Sequence, residues 1–120
     1  MKVTYINLLG EEHPMCFSLS AIEEICDTFG SVEAMQTAID SDNTAVKLSS
    51  VGKLLNILVR AGRRYGKLIG MELPKEIKGN VADLIDVMDP DAISKIFEAI
   101  TNDSEREIEV RSKNVEGVTQ

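Results

Sequence analysis

The strongest constraint on this 120-residue chain is the stretch 46–71, VKLSSVGKLLNILVRAGRRYGKLIGM. Its apolar residues recur at three- and four-residue spacing, the period of an α-helix with one buried face. They are Val51, Leu54, Leu55, Leu58 and Ala61, and Ile57 and Val59 widen the stripe. The second half carries Arg60, Arg63, Arg64 and Lys67. The stretch predicts one long helix that starts between Asn43 and Ser50, with a core-facing first half and a cationic second half.

Three glycines, Gly62, Gly66 and Gly70, recur every four residues in the second half of this helix. Glycine costs about 1 kcal/mol in a helix interior relative to alanine. Either the helix frays after Ala61, or the small residues form a groove against which another helix packs closely. We favour the second interpretation. A phosphate-binding loop is not indicated, because such a loop follows a strand and opens a helix.

The N-terminal residues predict a β-hairpin. Residues 2–8 alternate, with Thr4, Ile6 and Leu8 on one face, and residues 15–19 alternate again. The polar stretch 10–12, which contains glycine, lies between them as the predicted turn. Pro14 is expected at an edge or at a strand start, because it has no N–H to donate. An isolated hairpin is marginal in water, so this one must pack on the helices that follow.

Four further helices are indicated by their caps. Ser20 with Glu23 fits a capping box, and Gly30 ends that helix. Ser31 caps the second helix, Pro74 opens the helix after the long one, and Asp89 with Pro90 opens the last. The inward stripes are Ile22, Ile25, Cys26 and Phe29; Val32, Met35 and Ile39; Ile77, Val81, Leu84, Ile85 and Met88; and Ile93, Ile96, Phe97 and Ile100.

These elements predict a mainly α (α+β) fold: an N-terminal β-hairpin followed by about five helices in one compact domain over residues 1–103. Asn102 and Asp103 end the last helix, and residues 104–120 form a mobile polar tail. Aromatic residues are only 4% of the chain, so the core must be aliphatic. No apolar run approaches the roughly 18 residues of a membrane span, and the first nine residues lack a signal peptide's apolar block. We therefore expect no membrane association and a cytoplasmic location.

The net charge of −7 is unevenly distributed. Residues 1–46 hold one base and eight acids, residues 47–78 eight bases and two acids, and residues 79–120 four bases and ten acids. The acidic total argues against non-specific nucleic-acid binding, which depends on neutralising phosphates. The positive charge of residues 47–78 either binds an anionic partner or is compensated by acidic side chains of the same chain. We favour internal compensation.

No residue pattern indicates an enzyme. The single histidine, His13, falls beside Pro14 in the predicted turn, and Cys16 would lie on the opposite face of a strand. Cys16 and Cys26 form no CxxC pair and are expected to be free thiols, buried or half-buried. We expect no cofactor and no metal. A DNA-reading helix-turn-helix is an alternative, but no Asn or Gln stands among the basic residues to read adenine.

The order of elements resembles the small tail assembly chaperones of long-tailed phages and of gene transfer agents. The resemblance covers about residues 2–102 and rests on apolar positions and helix breaks rather than on a catalytic signature. It is carried by Leu19, the pair Glu23 and Glu24, the break Phe29, Gly30 and Ser31, the small-residue step Ala61 and Gly62, and the helix start with Pro74 and Glu76.

This resemblance implies a non-enzymatic helper in the bacterial cytoplasm that coats the tape-measure protein before the tail tube forms around it. Contact with the tail tube protein and self-association are further expectations. The residues that would steer acidic segments of the client are Arg60, Arg63, Arg64, Tyr65 and Lys67. Members of these families are often also made as a longer, frameshifted form, and Lys113 with Asn114 is compatible with a slippery codon run. The alternatives are a structural or adaptor protein retained in the virion and, behind it, a small DNA-binding regulator.

Overall fold

The computed structural model describes residues 3–79, 81–86 and 88–101. It confirms the predicted fold class, because a two-stranded hairpin is followed by five helices. The elements are β1 (Thr4–Leu8), β2 (Glu11–Met15), α1 (Leu19–Phe29), α2 (Val32–Ile39), α3 (Thr44–Ile69), α4 (Val81–Asp86) and α5 (90–101). The predicted end of the last helix at Asn102 and Asp103 and the predicted tail over 104–120 lie outside the described residues. No helix of the described part is both long and apolar enough to cross a membrane.

The hairpin confirms the first predicted strand and corrects the second. Thr4, Ile6 and Leu8 are buried, as their alternation predicts. The second strand is Glu11–Met15 rather than 15–19, and its turn is the pair Leu9 and Gly10. Both turn residues have positive φ, 55° and 85°, the conformation of a two-residue hairpin loop that matches strand twist. Because the turn is this short, Glu11 already pairs with Leu8.

The outer edge of β2 lies against α3. Pro14 is paired with Tyr5 in a two-stranded ribbon, so it occupies an edge strand as predicted. A Cβ placed on Gly62 would come within 2.0 Å of the Pro14 carbonyl oxygen. Just beyond the strand, the Cys16 N–H donates to the Leu58 carbonyl at 3.2 Å. The glycine therefore lets the helix axis approach the strand closely.

Helix α3 does not fray after Ala61, so that interpretation is wrong. It continues to Ile69 and ends at Gly70, whose φ of 76° is the left-handed cap conformation. The small residues do allow close packing, but the neighbours are not another helix. Gly62 faces the backbone of β2, and Gly66 faces the Leu73 side chain at 2.7 Å from an added Cβ.

The helix starts and ends agree with prediction except at the starts of α1 and α4. Gly30 ends α1, while Ser31, Asn43 and Asp89 cap the next helices through side chains that accept backbone N–H groups. At α1 the cap is Ser18 rather than Ser20, because the Ser18 hydroxyl accepts the Ala21 N–H at 3.2 Å. The earlier start leaves the predicted capping box unused.

Among the side chains that the structure describes, which do not include that of Val81, the inward stripes form one aliphatic core with one exception. Ile25, Met35, Ile39, Leu54, Leu55, Leu58 and Ile96 are among the fully buried side chains. Cys26, predicted in the stripe of α1, is exposed, while Cys16 is buried, and the two form no disulfide. The buried line of α1 instead runs through Ala21 and Ile25, one helical turn apart.

The predicted helix start at Pro74 is wrong. Residues 71–79 are irregular, and α4 begins only at Val81. The Pro74 carbonyl, which a helix would pair with the amide four residues on, accepts instead from Arg63 Nη1 at 2.7 Å. Two further contacts hold the same segment in place: Leu73 packs against Gly66, and Ile77 packs against the core. Tertiary contacts therefore outweigh the local helix signal here.

Candidate functional site

The five predicted partner-binding residues lie on the second half of α3 but do not share one face. Arg60 and Arg64, one turn apart, both form ion pairs with Glu24 of α1. The Arg64–Glu24 pair measures 3.1 Å, and Arg64 also donates to the Ser20 hydroxyl at 3.0 Å. Glu24 therefore neutralises part of the cationic surface, as expected for internal compensation. Exposed pairs of this kind stabilise a fold by about 0–1 kcal/mol.

The other three residues point to different surroundings. Arg63 is half-buried and donates to the Pro74 carbonyl. Tyr65 is half-buried and packs against the core. Lys67 is exposed in the last turn of α3, and the described residues offer it no ion pair. The structure thus brings Arg60 and Arg64 together at Glu24, whereas Arg63 contacts the 71–79 segment and Tyr65 contacts the core.

The position of His13 corrects the prediction that it lies in a turn. It stands within β2, opposite Ile6, and its side chain is only 1% exposed. Among the described residues, neither ring nitrogen has a hydrogen-bond partner. Burial and then the nearby Arg63 charge lower the pKa of His13 from 6.5, against a smaller opposing effect of Glu11 and Glu12. The imidazole is therefore neutral at pH 7.

His13 borders a polar cavity of about 230 Å³ between β2, α3, the 71–79 segment and α4. The lining residues are His13, Asn56, Val59, Arg60, Arg63, Glu76, Ile77, Gly79 and Leu84. The cavity was not indicated by the sequence, because residues 11–15 read EEHPM and show no apolar alternation. Within the described part of the chain, no three His, Cys, Asp or Glu side chains are grouped as metal binding would require.

A second concavity is an apolar groove of about 320 Å³ where the first half of α3 meets the end of α4 and the start of α5. It is lined by Leu48, Val51, Ile85, Met88, Asp89, Pro90 and Ile93. Leu48 remains 41% exposed although it is a large apolar residue. The stripe predicted for α3 began at Val51. The sequence could have indicated Leu48 as part of this stripe, because it precedes Val51 by three residues and so extends the same helical face.

Comparisons of the chain with protein-family models, with curated proteins and with solved structures find no match.

Proposed function

We propose that this chain is a non-enzymatic tail assembly chaperone that binds an amphipathic helical segment of a phage tape-measure protein in the host cytoplasm. The observation that carries the proposal is the apolar groove between α3, α4 and α5. Its lining is apolar except for Asp89, which is engaged as the cap of α5. Exposed apolar concavities of this kind are typical of sites that bind protein partners.

The size and chemistry of the groove suit anchor side chains of a helix. Its volume of about 320 Å³ accepts a few aliphatic side chains rather than a whole helix. Helix-in-groove recognition uses such anchors at i, i+3, i+4 and i+7. Met88, unbranched and flexible, lets one wall adapt to different anchors. A client that repeats apolar stripes along a long helix would be protected from aggregation while it is held.

The identity of the client follows from the resemblance to tail assembly chaperones, and the fold is compatible with it. The hairpin, the break at Gly30 and the five helices occur in the order on which the resemblance rests, whereas the helix start with Pro74 and Glu76, which also carries it, is not formed. The exposed cations have a secondary role in this proposal. Lys67 and the solvent-facing part of Arg64 attract acidic client segments and raise the rate of encounter. Tail tube protein is a second candidate contact.

A matched pair of variants tests the groove. Leu48→Asp places a carboxylate in the apolar lining, whereas Ser49→Asp adds the same charge to the neighbouring exposed position. Each variant is co-expressed with the tape-measure protein encoded nearby, and the soluble client and its affinity are measured. We expect Leu48→Asp to weaken binding at least about tenfold, which corresponds to 1.4 kcal/mol, and Ser49→Asp to bind like wild type.

Three results would contradict the proposal. Unchanged client binding by a folded Leu48→Asp variant would remove the groove from the interface. Recovery of the chain in purified virions by mass spectrometry would favour a retained structural protein. Binding of duplex DNA in a mobility-shift assay at near-physiological salt would favour a regulator.

For the cations, Arg64→Glu combined with Lys67→Glu should weaken client binding mainly at low salt.

A further inference from the structure

The unpaired imidazole of His13 identifies a second site, distinct from the groove. Buried polar groups in proteins nearly always have hydrogen-bond partners, because an unsatisfied one loses its bonds to water without replacement. A neutral imidazole offers one N–H donor and one acceptor. Among the described residues both of these are unmet, on a side chain that is 99% buried and borders the 230 Å³ cavity. As the side chain stands, neither ring nitrogen is accessible from the cavity, so a rotation of the imidazole is needed to bring its donor or acceptor to a molecule bound there.

The groups around the cavity favour an anion with a planar, two-oxygen head. Arg63 presents a guanidinium with five N–H donors, of which the Pro74 carbonyl uses one. Asn56, one helical position from the apolar core residue Leu55, adds an amide that can donate. Arginine recognises carboxylates through two parallel hydrogen bonds, which a spherical anion cannot form. Val59, Ile77 and Leu84 complete an apolar wall for a short carbon chain.

We propose that this cavity binds a carboxylate group, which receives hydrogen bonds from the Arg63 guanidinium and the Asn56 amide and, once the imidazole rotates toward it, from a ring N–H of His13. The volume of about 230 Å³ equals that of roughly eight water molecules at about 30 Å³ each, so the occupant is small. Glu76 also lines the cavity and repels additional negative charge, so a monocarboxylate fits better than a dicarboxylate or a phosphate dianion. The carboxylate belongs either to a free short-chain acid or to an acidic side chain of a polypeptide.

Binding has a specific spectroscopic consequence. A carboxylate beside the imidazole favours the protonated ring, so it raises the pKa of His13. The charged groups that act on the ring are Arg63 on α3 and Glu11 and Glu12 on β2. Arg60 and Glu76 line the same cavity, and Asp83 of α4 lies beside its wall at Gly79. Because the chain contains a single histidine, its imidazole resonances report on this site alone.

The experiment titrates the full, untagged chain with sodium acetate and follows the His13 imidazole by ¹H–¹⁵N NMR. Sodium chloride at equal ionic strength and neutral acetamide are the controls. We expect acetate, and neither control, to shift the ring resonances saturably and to raise the pH midpoint of their titration. A capped tripeptide Ala-Glu-Ala and its glutamine analogue form the second arm. Tighter binding of the glutamate peptide than of acetate assigns the site to a polypeptide side chain, and weaker binding assigns it to a free acid.

Arg63→Gln and Arg64→Gln are the matched variants, because these adjacent arginines face different surroundings. Arg63→Gln should weaken the acetate response at least tenfold, and Arg64→Gln should leave it unchanged. Since Arg63 also holds the 71–79 segment, Asn56→Leu serves as a second variant that leaves the Arg63–Pro74 bond intact. The proposal would be overturned if acetate shifts the His13 resonances no more than chloride does. It would also be overturned if acetate shifts them as strongly in Arg63→Gln and Asn56→Leu as in wild type. Neither result bears on the groove, where client binding is tested separately.

Discussion

Replacing Gly62 with alanine tests the close approach of α3 to β2. The added Cβ would lie 2.0 Å from the Pro14 carbonyl oxygen, 2.4 Å from its carbon and 2.9 Å from the Met15 nitrogen. All three are backbone atoms, which no side-chain rotation can move. A normal C···O contact is about 3.3 Å, so helix and strand must separate by roughly 1.3 Å along this contact.

The magnitude follows from three contributions. Overpacking of a well-filled core costs about 1–3 kcal/mol. Separation would also stretch the Cys16–Leu58 backbone hydrogen bond, now 3.2 Å long, and its loss costs about 1 kcal/mol. Alanine is favoured over glycine in a helix by about 1 kcal/mol, which offsets the second contribution. The free energy of unfolding should therefore fall by about 1–3 kcal/mol, although the same change at an exposed helix position would raise it.

Urea unfolding followed by circular dichroism measures this change. Gly66→Ala is the matched control, because its added Cβ meets only Leu73 side-chain atoms, the nearest at 2.7 Å, and that side chain can rotate. We expect Gly66→Ala to remain within about 1 kcal/mol of wild type. If Gly62→Ala unfolds at the same or a higher urea concentration than wild type, the helix and strand are not packed as described.

Three smaller perturbations probe other features. Since the folded-state pKa of His13 is lowered, the unfolded chain binds more protons, and stability should fall as pH drops below 6.5, by at most about 1.4 kcal/mol per pH unit. His13→Phe should lose this slope in urea titrations below pH 6.5, and parallel slopes in both proteins would argue against the buried neutral ring. Asn43→Ala should lower stability by about 1 kcal/mol through loss of the α3 cap, and Asn43→Gly should restore most of it; equal melting temperatures for the two would contradict a capping role. Glu24→Gln should cost less than about 1 kcal/mol at low salt and nothing at high salt, because both of its ion pairs are solvent-accessible; a salt-independent loss would point to a buried role instead.

The parts of the fold that sequence predicts well depend on neighbours three or four residues away. Gly30 ends α1, Ser31 starts α2, and Asp89 with Pro90 starts α5, because capping involves only the adjacent backbone. The aliphatic stripe of α3 was likewise readable from spacing alone. Each signal acts within a single turn of chain, so no knowledge of the tertiary structure is needed.

The errors arise where a distant residue decides the local conformation. Pro74 has the local chemistry of a helix start, but the Arg63 side chain, eleven residues earlier, takes its carbonyl. The direction in which each arginine points depends on Glu24 and Pro74, which no spacing within α3 reveals. The burial of His13 depends on α3 lying over β2. The groove at Leu48 exists only because α4 and α5 pack beside the first half of α3.

The contact of α3 with β2 has a consequence for assembly. Pro14 has no N–H, its carbonyl faces Gly62, and the Cys16 amide is already bonded to Leu58. A strand from another molecule therefore cannot pair with β2 at its Pro14–Cys16 end, which limits edge-to-edge polymerisation there. Recruitment of a partner by strand addition at this end of β2 is closed to this domain.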